Sequence, residues 1–347
     1  MREIHFWRAG RALVCEIPRL SAAEREVAEE TARHTKNTWQ KNRDFQEILK
    51  NTVQGKLAEV VFEAYLEQVT DTCLAVYDQF RADGMKRHAP VDALIFKKET
   101  AEAVRLDCER RLAIEAADSE FGTVSVGLRE YLSSRGAVTV EIKSSALKGA
   151  DFDGVGDLKH RTPRDFSVIA ENILKRDFFI YPHFLRSSGE ISSFYQYAEY
   201  VRTTRGDQFP SGNRSFLHRL MEVEYDNACD VYTRLYFDYG SGHVYIPGYI
   251  SREDFFVRPR IGKMPGAKSG QAVYYMRSIG DGFPVEEIDG DRRLWNHDRQ
   301  GAYARLFGGR AELCPCCGGK LQICASRNRQ QYFYHCFGCG KNFSADL

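Results

Sequence analysis

Between Gly55 and Gln68 apolar residues recur at helical spacing (Leu57, Val60, Val61, Ala64, Tyr65, Leu66), and Glu59, Glu63 and Glu67 step by four among them. That period predicts an amphipathic helix. Upstream, Ala12 to Ile17 reads as a short strand closed by Pro18. Ser21 then opens a long polar helix over Ala22 to Lys50, in which acids (Glu24, Glu26, Glu29, Glu30) precede bases (Arg33, Lys36, Lys41), the order a helix dipole favours. Two apolar runs read as buried strands: Val91 to Phe96, and Ala137 to Ser144 after a turn at Ser133 to Gly136. Helical stretches from Glu102 to Ala117 and from Val124 to Leu132 lie between them. Beyond, the pattern predicts a helix over Thr162 to Lys175 and a strand from Asp177 to His183. A hairpin of Val231–Phe237 and Gly242–Ile246 follows, then a helix start near Tyr249 capped by Ser251, and a strand from Ala272 to Ile279.

Charge changes this picture little. The 347 residues carry a formal net charge of only +1, so no global field marks a polyanion ligand, and local patches have to do that work. One such patch is the Tyr- and Arg-rich stretch from 190 to 220 (Tyr195, Tyr197, Tyr200, Arg202, Arg205, Arg214, Arg219), a candidate DNA-binding surface. The length predicts one large domain or two. Cys15, Cys73, Cys108 and Cys229 show no disulfide framework, which with a thiolate metal site implies a reducing, cytoplasmic setting. No run of 18 apolar residues and no signal peptide occur, so a soluble protein without a membrane partner is expected. The chain lacks a Gly-x4-Gly-Lys-Ser/Thr loop, which excludes a P-loop nucleotide motor.

Three stretches carry chemistry. On the second strand, Glu141-Ile142-Lys143 has the period of two that points Glu141 and Lys143 to one face and Ile142 to the core. Asp92 sits in the apolar run Val91 to Phe96, where an acid must be paired, protonated or bound to metal. Asp83 and Asp118 are alternative acids in more polar, turn-like surroundings. Glu59 falls among the apolar neighbours of its helix. Such carboxylates suit Mg²⁺, which takes oxygen ligands from one or two acids plus substrate phosphates.

In order, this pattern is similar to the PD-(D/E)xK, or restriction-endonuclease-like, nuclease superfamily over about residues 30 to 185. The resemblance implies an α/β fold, a mixed sheet flanked by helices. It implies that Asp92, Glu141 and the Ile142 carbonyl bind Mg²⁺ or Mn²⁺, that Lys143 orients the attacking water, and that Glu59 holds a second metal or metal-bound waters. The implied activity is hydrolysis of phosphodiester bonds in DNA, favoured over RNA, in restriction, defence or repair, by a homodimer or within a larger DNA-processing complex. The alternative is a nucleic-acid-binding or adaptor protein that uses the fold as scaffold. This sequence departs from the family in one respect. The family joins the Asp and Glu-x-Lys strands closely, whereas here a helical insertion over 97–135 intervenes. Insertion at the tip of the hairpin preserves the pairing, because long loops cost little closure entropy.

At the far end, Cys314-Pro-Cys-Cys317 and Cys336-Phe-Gly-Cys339 form two CxxC knuckles. Each presents two thiolates to one tetrahedral ion, which reads as a Zn²⁺ site, with Cys316, Cys324 and His335 as spare ligands. Alternating residues at Leu321–Ala325 and Gln331–His335 predict a hairpin between the knuckles. This resembles the zinc ribbon of topoisomerase C-termini. Lys320, Arg327, Arg329, Lys341, Tyr332, Tyr334 and Phe337 are its candidate nucleic-acid contacts. The domains expected are therefore 1–308, nuclease-like, and 309–347, zinc ribbon, with the linker near Phe307 to Arg310.

Overall fold

The long polar helix expected over Ala22 to Lys50 is two helices. Asp44, extended at φ −64° and ψ 139°, accepts the Glu47 amide at 3.1 Å and so starts a new helix inside the polar run. A computed structural model shows this; it describes residues 3–38, 43–85, 88–119, 124–157, 160–180, 225, 228–257, 260–264 and 272–295. Towards the C-terminus it describes 314, 316–317, 321–325, 332–336 and 338–344.

In chain order the elements are strands β1 (Trp7–Ala9) and β2 (Ala12–Glu16), helices α1 (Ala22–Thr38) and α2 (Phe45–Val69), β3 (Thr72–Val76), α3 (Tyr77–Phe80) and β4 (Ala93–Lys97). Then come α4 (Glu102–Asp118), α5 (Val126–Ser134), β5 (Val138–Ala146), α6 (Pro163–Leu174), β6 (Asp177–Ile180), β7 (Val231–Asp238), β8 (His243–Ile246) and β9 (Tyr249–Ser251). The last are α7 (Arg252–Val257), β10 (Arg260–Met264), β11 (Ala272–Ser278), α8 (Arg292–Trp295), β12 (Leu321–Ala325), β13 (Tyr332–Cys336) and β14 (Asn342–Ser344). The helix start expected at Tyr249 is in fact a strand. Tyr249–Ser251 pairs with β7, and only then does Ser251 Oγ cap α7 by accepting the Asp254 amide at 3.1 Å.

The chain divides into two compact units, one of Met1–Phe178, Cys229–Asp254 and Ser278–His297, the other of Phe179–Ala228, Phe255–Arg277 and Asp298–Leu347. The first is α/β. Its sheet runs β1-β2-β8-β7-β5-β4-β3, with β9 added on β7. The β5–β7 pair is parallel and its neighbours are antiparallel, so the sheet is mixed. Alternation sorts the two central strands. Val138, Val140 and Ile142 of β5 join Val231, Leu235 and Phe237 of β7 in one apolar cluster with Leu57, Ala58, Val61, Phe62 and Tyr65 of α2. Burying each of the Val, Leu, Ile and Phe side chains among them contributes about 1.5–3 kcal/mol. The opposite face of the pair carries Glu141, Lys143 and Ser145 beside Tyr232, Arg234 and Tyr236.

In the second unit β10 and β11 pair antiparallel, and β12, β13 and β14 form a three-stranded antiparallel sheet. The hairpin expected between the knuckles is thus present, with a third strand that the alternation did not reveal.

Candidate active site and metal centre

Asp92 stands one residue before β4. The expected strand began at Val91, but the regular pairing begins with Ala93↔Val140 and continues to Ile95↔Val138. The reason is local. The Asp92 amide donates to the Val140 carbonyl at 3.1 Å, and the Asp92 carboxylate accepts the Ile142 amide at 2.6 Å. A side-chain oxygen has replaced a main-chain acceptor, which clamps Asp92 across β5 beside Glu141. The partners of that bond lie 50 positions apart. The insertion, α4 and α5, leaves β4 and returns to β5 as its direct neighbour, so the strand pairing survives it.

Electrostatics tie four residues together. Burial, and after it the Glu141 carboxylate, pushes the Asp92 carboxyl up to about 8, with Glu59 adding to the rise and Lys143 opposing it. Glu59 is likewise raised, chiefly by burial, while Lys56 and Lys143 pull it back. Burial works against the charge of Lys143, but its ion pair with Glu141 and its proximity to Asp92 hold it protonated, above its ordinary range. The Lys143 side chain remains 41% exposed, so part of the site is open to solvent. An acid raised by two neighbouring carboxylates calls for compensating positive charge, and a divalent cation fits that donor set.

Sequence reading missed the residues that hold Glu59. Lys56 donates to Glu59 at 2.8 Å and to Asp78 of α3 at 2.5 Å, and its side chain is 10% exposed. Arg81 in turn pairs with Asp78 at 2.8 Å and with Asp83 at 2.7 Å. Acids and bases alternate along this chain from Glu59 to Asp83. The Lys56–Glu59 and Asp78–Arg81 spacings of three were legible as helical neighbours; their convergence was not. Asp83, an alternative catalytic acid on sequence grounds, is taken up bidentately by Arg81. Asp118, the other, ends α4. A cleft of about 160 Å³ opens beside this network, lined by Glu59, Asp78, Arg81 and Asp92 and by Thr31, His34 and Thr35 of α1.

Near the C-terminus the Sγ atoms of Cys314, Cys317, Cys336 and Cys339 all lie within 4.8 Å of one another. Cys314–Cys339 and Cys317–Cys336 are each separated by 3.5 Å. Four thiolates at about 2.3 Å from a tetrahedral ion stand roughly 3.8 Å apart, so the cluster can hold zinc with small shifts of the sulfurs. Backbone geometry supports it. Gly340 turns at φ +72°, and a Cβ on Gly338 would press on Cys317 Sγ at 3.4 Å. Cys316 stays outside the cluster, exposed, and accepts from Lys341 Nζ at 3.3 Å. His335 Nδ1 is engaged by Asn342 Oδ1 at 2.6 Å.

The acid-rich segment Asp151 to Asp157 is in part a brace. Asp151 is buried, accepts the Lys148 amide at 2.8 Å and pairs with Arg176, while Asn172 donates to the Asp153 carbonyl at 2.9 Å. The Tyr- and Arg-rich stretch from 190 to 220, the linker at 307–310, and Lys320, Arg327, Arg329 and Phe337 lie outside the described residues. Among the described residues no helix is long and apolar enough to cross a membrane. No family model, no curated protein and no solved structure matches this chain.

Proposed function

We propose that the first unit is a metal-dependent nuclease of the PD-(D/E)xK type, hydrolysing phosphodiester bonds in DNA, and that the C-terminal cysteines form a zinc ribbon that assists nucleic-acid binding. One observation carries the reading: Asp92 is clamped by the Ile142 amide beside Glu141 and Lys143, across strands that the sequence separates by two helices. Asp92 and Glu141, with the Ile142 carbonyl, would hold Mg²⁺ or Mn²⁺. When bound, such an ion stabilises the leaving oxygen and acidifies a water for attack. Lys143, kept protonated by Glu141 and Asp92, donates to that water or to the phosphoryl oxygens and stabilises the charge that develops on them. Glu59, held by Lys56, would accept hydrogen bonds from waters around the ion.

The test is incubation of supercoiled plasmid, linear duplex and single-stranded DNA with the protein, in Mg²⁺ or Mn²⁺ against EDTA, beside Lys143→Ala. Cutting that needs metal and falls at least about a hundredfold in the variant is expected, since one transition-state donor of this kind is worth about 10²–10³ in rate. DNA binding without cutting in any condition would instead favour a non-catalytic scaffold.

A further inference from the structure

The helical insertion between β4 and β5 carries a charge cluster on its surface. Asp107 of α4 accepts Arg110 Nη2 at 2.9 Å and Arg111 Nε at 3.0 Å, and the Tyr131 hydroxyl of α5 donates to it as well. Tyr131 first, and then Arg110, hold the Asp107 carboxyl below its usual range, so it counts as one full negative charge. The guanidinium carbons of Arg111 and Arg135 stand 4.3 and 5.3 Å from the centre of the Tyr131 ring. Arg135 follows the last turn of α5 and is exposed. Among the described residues no hydrogen bond and no ion pair engages its guanidinium, and Glu130, the acid nearest to it in sequence, forms no ion pair. Three guanidiniums are thus gathered around one carboxylate, which leaves two positive charges over. Donor edges remain on each: Nε and Nη1 of Arg110, both Nη atoms of Arg111, and all three nitrogens of Arg135. The Arg110 and Arg111 side chains are 69% and 51% exposed, so those edges meet solvent. Like charges held this close repel one another, and an anion between them relieves the repulsion.

We propose that Arg110, Arg111 and Arg135 form a docking surface for the phosphate backbone of a nucleic-acid strand, which makes the insertion a substrate-holding element. The inference rests on the nuclease reading for the identity of the polyanion, and it concerns residues which that reading does not use. Guanidinium forks match phosphate oxygens in pairs, and the Tyr131 ring and Asp107 already restrain two of the three, so less freedom is lost on binding. Placement along the chain agrees. Arg135 precedes Glu141 by six positions, at most about 20 Å of extended chain. About six base pairs of duplex, at roughly 3.4 Å each, cover that distance, so one nucleic acid can lie on the patch and reach Glu141 and Lys143. The competing explanation is mechanical, that the cluster only fastens α5 to α4 through Tyr131 and Asp107.

The experiment measures binding apart from cleavage. Anisotropy of labelled single-stranded and duplex oligonucleotides is followed in EDTA over a salt series, with melting temperatures recorded for each protein. The proteins are wild type, Arg135→Gln, Arg135→Lys, the double variant Arg111→Gln with Arg135→Gln, and Arg33→Gln. Arg33, 61% exposed and paired with Glu29 on α1, controls for the loss of one surface charge anywhere on the molecule. The proposal expects Arg135→Gln to bind about 2- to 10-fold more weakly, with a salt slope on duplex lower by about 1 and an unchanged melting point. The double variant should lower that slope by about 2, and Arg135→Lys, which keeps the charge, should hold the wild-type slope. Wild-type affinity and slope in the double variant would overturn the surface. So would an equal loss in Arg33→Gln, which makes binding a matter of net charge, or a loss in the double variant that follows a fallen melting point and is absent in Arg135→Gln. Wild type that binds no oligonucleotide overturns it as well. Weakened binding in the patch variants, alongside a wild type that never cuts DNA with metal, leaves the surface standing and refutes the hydrolytic reading alone.

Discussion

Replacing Asp92 by Asn keeps an oxygen to accept the Ile142 amide but takes one carboxylate out of a site shared with Glu141 and Glu59. In the metal-free protein that exchange should stabilise the fold. The carboxyl is ordinary at 3.8 and pushed up to about 8 in the folded chain, so the folded protein holds the proton more tightly than the unfolded one. Wild-type stability from this group is therefore complete below pH 4, falls as pH rises towards 8, and is flat above. At about 1.4 kcal/mol per pH unit the whole interval sets a ceiling near 6 kcal/mol. Asp92 is only half-buried, and solvent screening brings the expected gain to ~1–3 kcal/mol. In EDTA at pH 8.5, Asp92→Asn should melt roughly 2–10 °C above wild type, and the gap should shrink at pH 5. Adding Mg²⁺ should raise wild type, because a ligand that binds only the folded state stabilises it, and should leave the variant nearly unmoved. Scanning calorimetry at two pH values, with and without Mg²⁺, measures all of this. An Asn variant that is less stable than wild type in every condition, by the same amount with and without metal, refutes the reasoning and makes Asp92 a structural clamp.

Two other perturbations follow from contacts away from that carboxylate. Arg161→Leu should cost about 3–5 kcal/mol in urea unfolding, because the Arg161 and Asp238 side chains are 2% and 1% exposed and the substitution leaves a buried carboxylate without its counter-charge; a double variant with Asp238→Asn, which keeps an oxygen for the Gly240 and Ser241 amides, should lose less than the single one. Cys336→Ser should reduce bound zinc from one ion per chain to well below half, read by metal analysis after dialysis, since Cys336 is buried within the four-sulfur cluster; full zinc retention would remove it from the ligand set.

Particular elements show what could be read from the chain. The two cysteine knuckles were legible because the chemistry lies in a spacing of three residues, and the structure brings the same four sulfurs together. The face of Glu141 and Lys143 was legible for a similar reason, as a strand alternates with a period of two. Asp44 was not, because an N-cap inside a run of polar residues leaves no break in hydrophobic period. Strand β3 was also missed. It is a five-residue strand with alternate burial at Thr72, Leu74 and Val76, too brief to stand out beside a 25-residue helix. Lys56, Asp78 and Arg81 carried no signal of their convergence in the sequence, because their pairing arises only where α2 meets α3 and the residue that caps it.

Local periods thus determined the faces and the cysteine knuckles of this protein, since each depends on neighbours a few positions away. Which charges share a site was decided only by tertiary structure. Asp92 reaches Ile142 through the β4–β5 pairing, and Lys56 reaches Asp78 through the approach of two helices. Those approaches are set by burial of the apolar faces of α2, β5 and β7 against one another. Hydrophobic burial is non-directional and acts between segments far apart in sequence, so it leaves no local signature at the charged residues it brings together.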